Sequence, residues 1–324
     1  MLNNKVLFIT GGTGSFAKAF VKDVLSKYDV KKIVLYSRCE FKQAEMEREF
    51  KNLHVDKLRF ILGDIRDKDS LKRAMTDADI VIHTAALKRV DSAEYNPLEF
   101  ISTNIIGSAN VIQCAVENGV EKVVALSTDK ASLPATLYGG TKFVADKLFQ
   151  AGNVYSEGHG IKLMVVRYGN VAGSRGSVIP YFKELVANGE KLLPITHPDM
   201  TRFFITMNQA LELVYTALEK GTGGEIYVAK IPSFRVTDLV KAFNKECKIV
   251  GVRENEKLHE SMISIYDYVY EYGNYYIIYP VLKWYDFYKH LDRSGKQKEQ
   301  FEYSSDSNVF LTVDELKEHI KWLN

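Results

Sequence analysis

Tyr138 and Lys142 stand four residues apart, with Thr128-Asp129-Lys130 shortly upstream. On a helix, residues four apart share a face, so the Lys142 amine would lie beside the Tyr138 phenol. A nearby cation lowers a phenol's pKa and lets it accept a proton from a hydroxyl. The spacing alone is weak, because Tyr-x-x-x-Lys occurs four times, starting at Tyr28, Tyr138, Tyr279 and Tyr285. Only the Tyr138 pair follows the fifth strand of a βα series, where the strand ends form a ligand crevice. That strand ends in Ser127-Thr128-Asp129-Lys130. A carboxyl beside an amine can serve as an acid and base pair. In isolation it would read as a surface ion pair or a helix-capping Asp. Next to Tyr138 and Lys142 it supplies more than a dehydrogenase needs. One group serves a hydride transfer, leaving Asp129 and Lys130 for a second proton transfer.

These groups need a scaffold. Of 324 residues, 46% are hydrophobic and 26% charged, which suits a globular protein and argues against disorder. β-Branched runs at 5–10, 32–36, 57–62, 80–83, 122–127 and 163–167 alternate with helical stretches near 14–27, 41–51, 67–77, 97–118 and 137–156. The runs lack polar alternation, as expected of parallel strands covered on both faces. The rhythm predicts an α/β fold with a doubly wound parallel sheet, Rossmann-like, over 1–170. A smaller mixed region over 171–324, mainly for substrate, completes the chain, and later segments can return to the first domain. Tyr266, Tyr268, Tyr270 and Tyr272 alternate, Gly273-Asn274 signals a turn, and Tyr275, Tyr276 and Tyr279 follow. This spacing predicts a β-hairpin in a packed sheet or subunit contact, with ligand stacking the lesser reading. Residues 312–323 read as an amphipathic closing helix.

Thr10-Gly-Gly-Thr-Gly-Ser-Phe-Ala17 follows the first strand and opens the first helix. Gly11 and Gly14 allow a tight turn and close approach to a pyrophosphate at the helix N-terminus, with Thr13, Ser15 and Phe16 in the same turn. After the second strand, an NAD site would carry an acidic residue for the ribose 2′-hydroxyl. Here Ser37-Arg38-Cys39-Glu40 and Lys42 stand instead, and two cations with a hydroxyl favour the 2′-phosphate of NADP. Read blandly, Arg38 and Lys42 are solvated surface charges. Asp64 and Ile65 after the third strand can meet adenine. Ala85, Ala86 and Lys88 after the fourth can flank the nicotinamide ribose.

With these motifs in place, the chain resembles the extended short-chain dehydrogenase/reductases. More closely it resembles inverting UDP-N-acetylglucosamine 4,6-dehydratases of pseudaminic acid and capsule sugar pathways. The likeness runs through segments 11–16, 85–88, 93–97, 127–131, 137–142, 167–180, 200–203, 224–232, 256–260 and 301–305, nearly the whole chain. Thr-Asp-Lys, Arg-Tyr-Gly-Asn-Val and Gly-Ser-Arg-Gly-Ser are its specific motifs. Retaining relatives carry Asp-Glu where this chain has Asp129-Lys130, and epimerases lack the pair. The sequence departs from the family at Ala17, Cys39, Asp91-Ser92 and Asn255.

The resemblance implies a tightly bound NADP regenerated in each cycle. Tyr138 would take the 4-hydroxyl proton, Lys130 the C5 proton, and Asp129 would protonate the departing 6-hydroxyl. Thr128 would bond the 4-oxygen, and Val171 would border the cofactor. Lys88, Asn170, Val178 and Thr196 would contact substrate, Arg202 and Arg253 the diphosphate, and Glu256 the uridine ribose. A guanidinium offers a fork of donors to phosphate oxygens, although a structural ion pair is an equal use of each Arg. A homo-oligomer built on the helices near 97–118 and 137–156 is also implied.

Other classes are disfavoured. With 43 Lys plus Arg against 41 Asp plus Glu, the net charge of +2 gives no general attraction to nucleic acid or anionic membrane. No apolar run approaches a membrane span, and Met-Leu-Asn-Asn leads straight into a strand without signal-peptide anatomy. Cys39, Cys114 and Cys247 are too dispersed for a zinc pattern and fit a reduced cytoplasm. His83 and His259 read as structural, and no metal spacing is present. The competing readings are a UDP-sugar 4-epimerase, which needs no Asp-Lys pair, and a non-catalytic NADP-binding regulator, which needs no Tyr-Lys pair.

Overall fold

The computed structural model describes residues 1–51, 55–155, 160–174, 176–281 and 291–322. Tyr285, Arg175, residue 156 and Leu323, each part of a sequence expectation, lie outside the described residues. The first half alternates as its sequence predicts: β1 (Val6–Thr10), α1 (Ser15–Lys27), β2 (Lys32–Ser37), α2 (Glu40–Glu49), β3 (Leu58–Leu62), α3 (Lys68–Ala74) and β4 (Ile80–His83). Then come α4 (Val90–Tyr95), α5 (Pro97–Phe100), α6 (Gly107–Glu117), β5 (Lys122–Thr128), α7 (Leu137–Tyr155) and β6 (Lys162–Tyr168). Strands β1 and β4 are wholly buried, which is why their sequences run apolar without alternation.

The second half is shorter-grained: α8 (Val178–Ala187), β7 (Leu192–Ile195), β8 (Thr201–Phe203), α9 (Met207–Lys220), β9 (Ile226–Ala229), β10 (Ser233–Arg235), α10 (Val236–Ala242) and β11 (Glu246–Ile249). It ends with β12 (Ser261–Ile263), β13 (Tyr268–Tyr272), β14 (Tyr275–Tyr279), β15 (Lys296–Lys298), β16 (Tyr303–Ser304) and α11 (Val313–Trp322).

One ten-stranded sheet runs β15-β13-β14-β9-β6-β5-β4-β1-β2-β3. From β3 to β9 every pairing is parallel; β14, β13 and β15 add antiparallel. The tyrosine-rich hairpin is therefore a continuation of the central sheet, paired through Tyr275–Ala229. Its rings pack on one another, with Tyr272 and Tyr275 stacked at 5.5 Å. The strand order turns back between β1 and β4, and the crevice beyond their C-terminal ends is where such sheets bind ligands. A second, smaller core gathers Phe182, Leu193, Phe204, Leu239 and Leu316 beside the sheet.

The stretch expected as one helix over 97–118 is built differently. Its middle, Ile101–Ile106, winds as a π-helix between α5 and α6. Asn104 in that wide turn is buried and reaches sideways. Its Oδ1 accepts the Leu87 N–H at 2.8 Å, and its Nδ2 donates to Leu87 O at 2.9 Å and to Thr141 Oγ1 at 3.0 Å. The turn thus clamps the loop after β4 to α7, and π-turns recur at functional sites.

Candidate active site

A cleft of about 760 Å³ opens along the C-terminal ends of β1, β2, β4 and β5. At Gly11 the backbone has φ +65°, and a Cβ there would sit 2.7 Å from Thr84 Oγ1, so the turn tolerates no side chain. Gly14 caps α1 with no side-chain hydrogen bond, which leaves the first N–H groups of the helix to a ligand anion. Ala17 is fully buried on the first turn of α1. Thr13, Ser15 and Phe16 line the same end. Further along stand Ser37, Arg38, Lys42, Asp64 and Ile65, then Ala85, Ala86, Tyr138, Lys142 and Val171. Arg38 and Lys42 are exposed. Arg38 Nη1 lies 3.6 Å from Asp64 Oδ2. Burial acts against the Asp64 charge, but bonds from Arg66 outweigh it and hold the carboxyl below its ordinary value. An uncapped helix N-terminus and a turn closed to any side chain at Gly11 form a cradle that fits a nicotinamide dinucleotide.

At the inner end, β5 delivers Thr128 and the chain turns at once through a short 3₁₀ segment, Asp129–Ala131. The first turn of α7 packs on this segment: a Cβ on Gly139 would lie 2.4 Å from Lys130 O. Glu94 of α4 accepts the Leu137 N–H at 2.9 Å and so satisfies the start of α7. These contacts place Tyr138 over the Asp129–Lys130 turn. Asp129 is fully buried. Its Oδ1 accepts from Thr128 Oγ1 at 2.9 Å and from Lys130 Nζ at 3.1 Å. Lys130 Nζ also lies 3.1 Å from Glu260 Oε1. Burial disfavours this ammonium, yet Asp129 and Glu260 together hold its pKa above the ordinary lysine value.

Burial likewise pushes the Tyr138 phenol up, to about 12, with Lys130 acting to lower it and Asp129 to raise it. The sequence points to Lys142 as the cation tuning this phenol. The Lys142 amine donates to Leu126 O at 2.8 Å, and burial depresses its pKa. Lys130 is a further cation whose charge acts to lower the phenol. Behind Lys142, Asp146 accepts from Ser127 Oγ at 2.8 Å and from Arg167 Nη2 at 2.9 Å, locking α7 to β5 and β6.

The residues assigned to substrate divide. Lys88 and Asn170 line the cleft. Val178, Thr196, Arg202, Arg253 and Glu256 lie beyond its lining. Val178 packs on the smaller core, and Thr196 Oγ1 donates to Met200 Sδ at 3.1 Å. Arg202 gives Nη1 to Thr201 O and Leu258 O at 2.7 and 2.9 Å, and Nη2 to Lys257 O at 3.1 Å. Much of its fork is therefore engaged by backbone. Glu256 lies 3.8 Å from Arg202 and accepts the Arg253 N–H at 3.2 Å, while the Arg253 side chain is exposed.

Two residues of this site carried no signal of their own in the sequence. Asn104 looks like an ordinary helix polar residue, and Glu260 sits at the end of a matching segment without an assigned role. His83 is buried between Thr10 Oγ1 and Ser108 Oγ, with burial and Lys142 lowering its pKa to about 3. His259 bonds Thr201 Oγ1 at 2.9 Å. Among the described residues no cluster could hold a metal ion, and no helix is long and apolar enough to cross a membrane.

Comparison with known proteins follows the same lines. Residues 7–280 match the family described as polysaccharide biosynthesis protein. The chain belongs to that family. This family member is 48% identical over 318 residues to a UDP-N-acetylglucosamine 4,6-dehydratase (inverting) of Campylobacter jejuni, covering 95% of this chain and 94% of that protein. It is 42% identical over 274 residues to a UDP-glucose 4-epimerase of Rickettsia conorii, covering 82% of this chain and 79% of that one. Among solved structures, Pen from Bacillus thuringiensis superposes with a TM-score of 0.90 at 32% identity, covering 99% and 98% of the two chains. The chain has the extended short-chain dehydrogenase/reductase fold.

Proposed function

We propose that this protein is an NADP-dependent UDP-N-acetylglucosamine 4,6-dehydratase, a hydro-lyase that inverts C5. Its product would be UDP-2-acetamido-2,6-dideoxy-β-L-arabino-hexos-4-ulose. The observation that carries the reading is the Asp129–Lys130 pair, turned off β5 directly beneath Tyr138. An epimerase needs the phenol but not the pair. The likeness to the inverting dehydratase, at 48% identity against 42% for the epimerase, supports the same choice.

In this reading Gly11, Thr13, Gly14, Ser15 and Phe16 hold the pyrophosphate at the start of α1. Ser37, Arg38 and Lys42 take the 2′-phosphate, Asp64 and Ile65 border adenine, and Ala85, Ala86, Lys142 and Val171 flank the nicotinamide ribose. When bound there, the oxidised nicotinamide would supply positive charge and a reversible hydride acceptor for C4 and C6. Tyr138 Oη accepts the 4-hydroxyl proton while Thr128 bonds the 4-oxygen. The resting Lys130 is an ammonium and Asp129 its counterion. Moving one proton from Nζ to Oδ1, across 3.1 Å, turns the pair into an amine base and a carboxylic acid. Lys130 then removes the C5 proton, acidified by the 4-keto group, and Asp129 gives its proton to the departing 6-hydroxyl. After hydride has returned to C6, C5 takes up a proton from the opposite face, which inverts that centre. Lys88, Asn170, Val178, Thr196, Arg202, Arg253 and Glu256 would serve the nucleotide sugar, with Arg253 the better-placed guanidinium for the diphosphate. The remaining assignments are a cytoplasmic homo-oligomer joined through the α5–α7 face and a substrate region drawn mainly from residues beyond 170.

Incubation with UDP-N-acetylglucosamine, followed by NMR, tests the reading. A 4-keto-6-deoxy product supports it, a C4 epimer replaces it with an epimerase, and no turnover favours a regulator. Cofactor choice has its own test. Arg38→Ala should weaken NADP more than NAD, by roughly 10-fold or more if its phosphate contact is worth about 1.5–3 kcal/mol. Equal affinities for the two cofactors, before and after the change, would reject the NADP assignment.

A further inference from the structure

We propose that Glu260 is a positioning residue for Lys130, whose buried negative charge keeps the one proton shared by Asp129 and Lys130 within that pair across the working pH range. This deepens the dehydratase reading and rests on it. Glu260 stands just before β12 and is held from both sides of its backbone: its N–H donates to Ser305 Oγ at 2.9 Å, and its carbonyl accepts the Ser305 N–H at 2.8 Å. The side chain is only 4% exposed and aims Oε1 at Lys130 Nζ, 3.1 Å away. Its Oε2 is buried with no hydrogen-bond partner among the described residues, as is Asp129 Oδ2. A buried carboxylate with an unsatisfied oxygen costs stability, so its retention calls for another explanation.

Charge supplies one. One ammonium, Lys130, sits between two carboxylates, and Arg202 Nε lies 4.0 Å from Glu260 Oε1. Tyr138 and Lys257 also face Lys130 electrostatically, and the cations Lys257 and Arg202 disfavour its charge. The acid–base pair works only while it holds one proton: exchange between Nζ and Oδ1 leaves that number unchanged, but loss to solvent leaves Asp129 with nothing to give the 6-hydroxyl. Asp129 cannot guard against this, because it is the other half of the exchange. Glu260 can, since its anion favours the protonated pair. Two fixed acceptors also orient the amine, leaving its remaining valence for substrate.

The experiment is the pH profile of kcat for the holoenzyme with UDP-N-acetylglucosamine, paired with an NMR titration of the Lys130 amine. Wild type should stay active well into alkaline pH. E260Q, which keeps an acceptor but loses the charge, should move the alkaline decline toward neutral by about 1–3 pH units, the effect of a charge within about 4–6 Å. E260D, which restores the charge, should return the profile toward wild type. Profiles of wild type and E260Q that coincide would overturn the proposal. If E260Q does not fold, the wild-type titration decides: a Lys130 amine that loses its charge at a pH where dehydration is still at its plateau also overturns it. A wild type that never dehydrates the sugar rejects the dehydratase reading, while the titration still reports whether Glu260 holds the Lys130 proton.

Discussion

Lys130→Ala should retain a folded cofactor complex and lose dehydration by about 10²–10⁴-fold, the contribution of a positioned general base. The loss follows because the C5 proton has no acceptor once the amine is gone, and Asp129 no longer has a partner with which to exchange its proton. Reaction of the wild type in deuterated water should label C5 and give the L-arabino 4-keto-6-deoxy sugar, with the original 4-hydrogen delivered to C6. A D-xylo product throughout, with no transient inverted species, would sink the inverting assignment while leaving dehydration intact. If Lys130→Ala dehydrates at the wild-type rate, Lys130 is only a paired charge and the base lies elsewhere. Folding must be checked alongside, because the substitution removes the cation that the buried Asp129 and Glu260 carboxylates share.

Tyr138→Phe should block the first oxidation by a similar factor, read as the absence of reduced cofactor in a single turnover with substrate. Phenylalanine keeps the ring that packs with Leu87, Val90 and Leu137 near Ala93 and Phe100, so the fold should persist. What disappears is the oxygen that receives the 4-hydroxyl proton. Burial holds the resting phenol high, so the wild-type rate of this step should climb as pH rises and more phenolate forms. Near-normal formation of reduced cofactor by the variant would exclude Tyr138 as the base. The two variants also separate the steps, since Lys130→Ala should still form reduced cofactor, more slowly because a cation lowering the phenol is gone, and Tyr138→Phe should not.

The sequence by itself determined the features written in short stretches of chain. The β-branched runs and intervening helices dictated the parallel sheet, because covered strands must be apolar on both faces. Gly11 marked the turn after β1, since its positive φ and close approach to the Ala85 backbone leave little alternative. Thr128-Asp129-Lys130 and Tyr138/Lys142 were legible because adjacent residues and helix neighbours stay together whatever the rest of the chain does. The tertiary structure decided what depends on chain segments far apart in sequence. It brought Glu260 beside Lys130 and set that lysine's charge where it acts on Tyr138. It turned much of Arg202 toward backbone carbonyls, and it wound Ile101–Ile106 wide so that Asn104 could bind the loop after β4. None of these follows from local propensity or spacing. Each is set by which buried polar groups meet when the sheet closes, and a buried charge or amide must take whatever partner the packing supplies.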